Sequence, residues 1–279
     1  MRVISWNVNG LRAAAKKGFR DFLEGSGAAI VGIQEARTEE LPEGLRPTRP
    51  DLHGYVAPDD LFVQEPAFEW HTALAAGERK GYSGVGLFAR PRWDTLDASL
   101  APEFDVEGRT LFARFGRLTV VTGYFPNGNG QNRDNSRIPY KLDYYRAMFA
   151  KLEPARAAGE PILVMGDLNT AHQPIDLARP RENAKTSGFT DVERAELGRW
   201  LAAGWTDTYR AAHPDVAGAY SWWSQRFGIR AKNIGWRLDL VLASPGVLPF
   251  IRKAFIRPDV MGSDHCPVGV TLNAKVLRP

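Results

Sequence analysis

The 279-residue chain holds a single cysteine, Cys266, which excludes an internal disulfide and a cysteine-rich zinc site and suits a reducing compartment. No apolar run approaches the roughly 18 residues that a membrane-spanning helix needs, so no membrane partner is expected. A basic segment followed by an apolar one is also missing at the start. The chain enters a strand-like run directly, and a cytoplasmic location is expected. Charge of one sign is scarce: 36 Lys and Arg stand against 32 Asp and Glu, and a formal charge of +4 is only a mild hint of a polyanionic partner. Neither an internal repeat nor a low-complexity linker divides the sequence. Apolar residues, by contrast, are plentiful. A hydrophobic content of 44% over this length can bury a large core, and a single domain over 1–279 is expected.

Short β-branched runs read as buried strands: Arg2-Val3-Ile4-Ser5-Trp6, Ile30-Val31-Gly32-Ile33, Leu118-Thr119-Val120-Val121 and Ile162-Leu163-Val164-Met165. Tyr82 to Ala89, Thr110 to Phe115, Leu238 to Ala243 and Cys266 to Leu272 share that composition. Helices are predicted over Leu11 to Leu23, over Tyr140 to Ala158 with Tyr145, Met148, Phe149 and Leu152 on one stripe, and over Thr190 to Ala202. Thr190 with Glu193 forms a capping box that opens the last of these. Helices separate some strands while others follow one another directly, so a mixed sheet or a pair of packed sheets fits better than one parallel sheet. Thr38 to Lys80, rich in Pro, Gly and charge, reads as a loop-rich surface excursion.

Polar clusters stand at the edges of these apolar runs: Asn7, Glu35, Tyr124, Asp167 with Asn169, and Ser263-Asp264-His265. Strand alternation points Asp167 and Asn169 the same way, although an isolated Asp-x-Asn also caps local backbone as an Asx turn. Glu35 alone reads equally as a solvated strand end. Asp264 and His265 emerge together before a terminal strand, where an Asp-capped turn beside a surface histidine would look alike. A hard divalent cation takes oxygen ligands, which Asp264, Glu35 and Asn7 supply, and a nearby imidazolium can hydrogen-bond a phosphoryl oxygen. Asp239, at the start of an apolar strand, needs a partner, and orienting a histidine would supply one. Together the set suits metal-assisted phosphate chemistry.

From Tyr220 to Arg237, five aromatics (Tyr220, Trp222, Trp223, Phe227, Trp236) interleave with Arg226, Arg230, Lys232 and Arg237. Such rings can hold an unstacked nucleotide while cations hold its backbone, and equally the tryptophans can be core residues. The run from Tyr124 to Gly130 follows a strand-end tyrosine with a glycine-rich turn, open to phosphate approach or simply a turn.

In order along the chain, Trp6-Asn7-Val8-Asn9-Gly10-Leu11-Arg12, Ile33-Gln34-Glu35, Gly81-Tyr82-Ser83-Gly84-Val85-Gly86, Gly166-Asp167-Leu168-Asn169, Asn233-Ile234-Gly235-Trp236-Arg237-Leu238-Asp239 and Ser263-Asp264-His265 resemble the exonuclease III family of apurinic/apyrimidinic endonucleases. Gly-Asp-Leu-Asn and Ser-Asp-His also occur across the wider superfamily of deoxyribonuclease I, sphingomyelinases and inositol phosphatases. Trp-Arg-Leu-Asp narrows the likeness to the repair nucleases.

The resemblance implies a four-layer α/β sandwich of two packed mixed β-sheets flanked by helices, dependent on Mg²⁺ or Mn²⁺. It implies a monomer that incises double-stranded DNA 5′ to an abasic site, leaving a 3′-hydroxyl, together with exonuclease and 3′-end-cleaning activities of unread balance. By the same resemblance Glu35 is the principal metal ligand, with Asn7 and Asp264 near the metal; a second metal position would involve Asp167, Asn169 and His265. Asp167 activates or orients water, Asn169 positions it, His265 held by Asp239 binds the scissile phosphate, and Tyr124 serves the departing oxygen. Asn9, Arg12, Ala13, Lys17, Asn127 and Asn183 match positions near the DNA backbone, and Trp222 and Trp236 match the walls of the abasic pocket.

Two features depart from the family pattern. The loop Gly128 to Pro139 is longer, leaving Arg133 and Arg137 as candidates for the family's DNA-penetrating arginine. Thr186 and Ser187 stand where asparagine and alanine are expected. Two other readings compete: a phosphohydrolase of the same superfamily acting on lipid or inositol phosphates, which has no use for the aromatic-basic stretch, and a catalytically inactive DNA-binding module, which leaves the complete set of acids, amides, tyrosine and histidine unexplained.

Overall fold

The computed structural model describes residues 1–46, 69–132, 134–226 and 228–278. The chain begins with β1 (Arg2–Asn7), α1 (Leu11–Ala15), α2 (Phe19–Gly25) and β2 (Ala28–Gln34). It continues through β3 (His71–Ala75), β4 (Val85–Ala89), β5 (Thr95–Asp97), α3 (Pro102–Asp105), β6 (Thr110–Phe115), β7 (Leu118–Tyr124), α4 (Ile138–Ala157) and β8 (Ile162–Asp167). The last part holds α5 (Asp191–Ala202), β9 (Thr206–Asp207), α6 (Thr208–Ala212), β10 (Asp239–Ala243), β11 (Ile251–Ile256) and β12 (Val268–Leu272).

These strands form two six-stranded mixed sheets, ordered β11-β12-β1-β2-β4-β3 and β5-β6-β7-β8-β10-β9. Each sheet is built outward from one parallel pair, β1 with β2 and β7 with β8, and every other pairing is antiparallel. Alternating side chains divide the apolar residues between faces. Val3, Ile30, Leu163 and Met165 join the core between the sheets. Their neighbours Ile4 and Val31 face α1 and α2 through Leu11, Phe19 and Leu23. Val164 and Ile162 face α4 and α5 through Tyr145, Met148, Leu197 and Trp200. Three apolar interfaces between helix, sheet, sheet and helix make a four-layer α/β sandwich. Each large side chain buried in them contributes about 1.5–3 kcal/mol. Among the described residues no helix is long and apolar enough to cross a membrane.

Four strands were not expected. β5 is wholly exposed, β9 has two residues, and β11 is an edge strand with Arg252 and Lys253 facing out, so none carries a buried-strand pattern. β3 lies inside the Thr38 to Lys80 stretch taken as loop, and residues 47–68 of that stretch lie outside the described residues. The helix expected over Leu11 to Leu23 is two short helices, because Gly18 takes φ +88 between them. α5 begins where its Thr190/Glu193 capping box was expected. The sandwich places the C-terminal ends of both parallel pairs together, with Tyr124 beside Asp167 and Asn7 beside Gln34 in register.

Candidate active site

Gly166 lets β8 lie close to β7: a Cβ there would stand 1.8 Å from Gly123 O, so the residue before Asp167 must be glycine for the strands to pair this tightly. Asp167 then ends β8 in the interior, 2% exposed, directly opposite Asp239 on β10. Its Oδ2 accepts from Asn7 Nδ2 at 3.0 Å, and its Oδ1 accepts from Asn169 N at 2.9 Å. Asn7 Nδ2 also donates to Glu35 Oε1 at 2.9 Å, so one amide bridges carboxylates from the two sheets. Glu35 and Asn169 both adopt positive φ, 53° and 51°, a strained backbone held by the strand ends around them.

His265 is buried, with Nδ1 2.8 Å from Asp239 Oδ2 and Nε2 3.9 Å from Asp167 Oδ2. It is therefore not a solvated histidine beside an Asp-capped turn. Ligand atoms of Glu35, Asp167 and His265 all lie within 4.8 Å of one another. Burial pushes the Asp167 carboxyl up to about 7; the charge of His265 opposes this, while Asp239 and Glu35 reinforce it. Burial disfavours charge on His265, but Asp239 and then Asp167 outweigh it and raise the imidazole to about 10. The imidazolium is thus a donor facing the cleft. Burial and the charge of Glu35 also hold the Tyr124 phenol well above its ordinary value, against the buried Arg109 guanidinium 4.5 Å from its ring centre.

The cleft above these groups has a volume of about 640 Å³. Trp222 and Trp236 line it, their ring centres 6.4 Å apart at 80°, and Thr186, Ser187 and Gly188 continue the lining beside Trp236. Asn127 sits at the rim and donates to Asn169 Oδ1 at 3.1 Å. Strand ends from both sheets, a histidine loop and two tryptophans therefore meet from sequence positions more than 200 residues apart.

The other expected residues lie around or away from this group. Asp264 is not in the Glu35 cluster: its oxygens accept from Asn9 Nδ2 at 2.7 Å and Trp222 Nε1 at 3.2 Å, so Asn9 braces an acid at the cleft edge. Asn183 donates to Arg179 O in a local turn and does not line the cleft. Arg12, Ala13 and Lys17 are exposed outside it; Arg12 belongs to a separate groove beside Glu40, and Lys17 to one beside Ser263. Arg237 is no phosphate partner, since it is 1% exposed and paired with Asp176 at 2.8 Å and Asp207 at 2.6 Å. Arg230 is spent on the backbone oxygens of Ser263, Pro258 and Val260. Tyr220 and Trp223 are core residues, and Phe227 lies outside the described residues. Arg137 is tied to Glu107 and Tyr82 at the start of α4, whereas Arg133 lies outside the described residues.

Sequence reasoning missed Arg37, whose guanidinium pairs with Glu35 Oε2 at the cleft mouth, as well as Arg109 under Tyr124. An arginine two residues beyond a strand-end glutamate was the one available signal for Arg37. Arg109, on a loop before β6, offered none.

The model of the endonuclease/exonuclease/phosphatase family matches residues 4–265. The chain is 38% identical to the exodeoxyribonuclease of Bacillus subtilis (strain 168), over 98% of this chain and all of that protein. It is 36% identical to the DNA repair nuclease APEX1 of Danio rerio, over 98% of this chain and 82% of that one. An AP endonuclease structure from Archaeoglobus fulgidus superposes with a TM-score of 0.80 at 22% identity, over 98% of this chain and all of that one, which supports the fold. The chain belongs to the endonuclease/exonuclease/phosphatase family, among its DNA-repair nucleases.

Proposed function

We propose that this nuclease is a Mg²⁺-dependent phosphodiesterase of base excision repair that cuts duplex DNA 5′ to an abasic site and leaves a 3′-hydroxyl. It acts as a monomer through one catalytic domain, with 3′→5′ exonuclease and 3′-end-cleaning activity on blocked ends. The observation that carries the reading is the convergence of Glu35, Asp167 and His265 at the floor of a cleft walled by Trp222 and Trp236.

The donor set fits a hard cation. Glu35 and Asp167 bring two carboxylate oxygens together in a partly dry site, where their mutual repulsion favours a divalent ion. Glu35 would hold it, with Asp167 and Asn7 adjacent and Asp264 at the cleft edge. Bound there, Mg²⁺ supplies charge to a phosphoryl oxygen; Mn²⁺ has similar ligand preferences.

The chain's own residues supply the remaining parts of an in-line displacement. Asp167, held by Asn7 and the Asn169 N–H, orients the attacking water and takes its proton. Asn169, tied to Asn127 and Phe125 O, positions that water against the phosphate. His265, fixed by Asp239, donates from Nε2 to a phosphoryl oxygen. Tyr124, a phenol kept protonated by burial, gives its proton to the departing 3′-oxygen. Trp222 and Trp236 wall the pocket that takes the abasic sugar, where an intact base would add bulk. Arg12, Ala13 and Lys17 lie along the path of the DNA backbone beyond the cleft.

The decisive test is incubation with a duplex carrying one tetrahydrofuran abasic analogue, with Mg²⁺ and then with chelator. A nick immediately 5′ to the analogue is expected only with the metal. Turnover of a phospholipid or inositol phosphate without any incision would overturn the reading; the nuclease relatives and the tryptophan walls both count against that alternative.

A further inference from the structure

Lys141, in the first turn of α4, and Glu193, in the first turn of α5, are completely shielded from solvent, with Nζ and Oε1 2.6 Å apart. Stability is a poor reason for such a pair, because desolvating two charges offsets most of their attraction. What the pair holds is more informative. Lys141 Nζ donates to Asn169 O at 2.5 Å, and Asn169 N in turn donates to Asp167 Oδ1. Glu193 accepts from Gly188 N through both oxygens, at 2.9 and 2.8 Å, from Ser187 Oγ at 3.1 Å and from Thr190 Oγ1 at 2.6 Å.

Gly188 has φ +95, and a Cβ there would stand 3.0 Å from Asn169 O and 3.4 Å from the Trp236 ring. It is therefore clamped between the backbone just past the Asp167 strand and the adjoining Trp236 ring. Ser187 and Gly188 themselves line the cleft. A carboxylate suits this junction because its two oxygens satisfy five donor groups at once, Lys141 Nζ, Ser187 Oγ, Gly188 N, Thr190 N and Thr190 Oγ1, whereas an amide offers one oxygen. A lysine suits it because one ammonium can reach both that carboxylate and a backbone carbonyl.

We propose that the Lys141–Glu193 pair is a positioning device that fixes the Ser187–Gly188 wall against Asn169 and so sets how selectively the cleft accepts an abasic sugar over an intact nucleotide. The proposal rests on the abasic-site reading of the same cleft. Neither residue touches substrate; both act through the wall and the backbone of Asn169.

The test measures binding of two duplexes of one sequence, intact or with a single tetrahydrofuran analogue, in chelator so that nothing turns over. Lys141→Met and the isosteric Glu193→Gln are compared with the wild type, and Glu193→Gln carries the comparison if Lys141→Met does not fold. The abasic-over-intact affinity ratio is expected to fall about tenfold, because a wall displaced by an ångström loses that much alignment, while affinity for the intact duplex stays within about twofold. Lys141→Arg should recover part of the ratio. A purely structural role would change the folded fraction but not a ratio of dissociation constants, so a wild-type ratio in a folded variant overturns the proposal alone. A wild-type protein with no preference for the abasic duplex overturns both the proposal and the reading beneath it.

Discussion

The two sheets share one plan, a central parallel pair flanked by antiparallel strands, yet they deliver different chemistry to the cleft. The first sheet ends its parallel pair in Asn7 and then Glu35, whose carboxylate meets the cleft mouth and the exposed Arg37. The second ends in Tyr124 and Asp167, backed by the buried groups Asp239, Arg109 and Lys141. One architecture thus makes a half with a partly open carboxylate and a half whose acid is buried. The difference lies in what stands behind each strand end: solvent and an exposed counter-charge in the first, buried ionic partners in the second. Burial raises both Tyr124 and Asp167 on the second side, and the same two buried acids, Asp239 and Asp167, raise His265, which reaches them from the loop before β12 of the first sheet.

The comparison breaks most sharply at Asp167. Replacing it with Asn keeps the shape and one of the two hydrogen bonds that Asp167 accepts, from Asn7 Nδ2 or from Asn169 N, but removes the group that takes a proton. Incision by Asp167→Asn should fall by about 10³-fold or more, with abasic-duplex affinity within a fewfold of wild type. Single-turnover kinetics beside equilibrium binding would show it. Equal loss of binding would move Asp167 out of the proton-handling half.

The next largest effect belongs to the opposite sheet. Glu35→Ala should raise the Mg²⁺ concentration for half-maximal incision by about 10–100-fold, while activity at saturating metal recovers in part. Calorimetric titration of Mg²⁺ into the DNA-free protein gives an independent reading. A metal titration unchanged from wild type would remove Glu35 from the ligand set and erase the proposed division between sheets.

A third prediction uses pH. His265 is raised from 6.5 to about 10, so its pairing stabilises the fold fully below pH 6.5, and that contribution is lost as pH rises towards 10. Asp167, raised from 3.8 to about 7, acts in the same direction at lower pH, because the folded protein retains a proton that the unfolded chain releases. In chelator the thermal midpoint should therefore decline as pH climbs between 6.5 and 10. Asp239→Asn removes the largest raising influence on His265 and should flatten that decline. An unaltered slope in a folded variant would show that Asp239 does not set the charge of His265.

Much of this arrangement was legible in the sequence because the informative residues interrupt apolar strands, where a carboxylate or amide stands out. Asn7, Glu35, Tyr124, Asp167, Asp239 and His265 all announced themselves in that way, and the structure brings them together. Groups supporting them did not. Lys141 resembles any lysine in a helix, and only the packing of α4 against α5 turns it inward. Glu193 was visible as a helix cap, but its buried cation was not. Arg237 failed in the opposite sense: a basic residue between aromatics suggested a phosphate contact, yet two distant acids, Asp176 and Asp207, hold it in the interior. Asp264 stands at the cleft with its oxygens accepting from Asn9 and Trp222, partners that the spacing of the sequence did not reveal. Among the strands, β9 and β11 were lost because edge pairing supplies their hydrogen bonds without demanding an apolar face.

The smallest expected effect lies outside both strand ends and shows how far the division extends. Lys17 is exposed in the groove beside Ser263, on the side of the first sheet, and donates to Gly262 O at 3.3 Å. If it follows the DNA backbone, Lys17→Ala should weaken intact and abasic duplexes alike by about two- to fivefold and reduce the slope of log affinity against log salt by about one. Trp236→Ala provides the contrast: loss of a stacking wall should lower abasic affinity by about tenfold with the salt slope unchanged. The two variants separate charge from shape in one titration series. A salt slope that moves with Trp236 and not with Lys17 would place the backbone contacts inside the cleft, and the selective wall and the phosphate path would then be one surface.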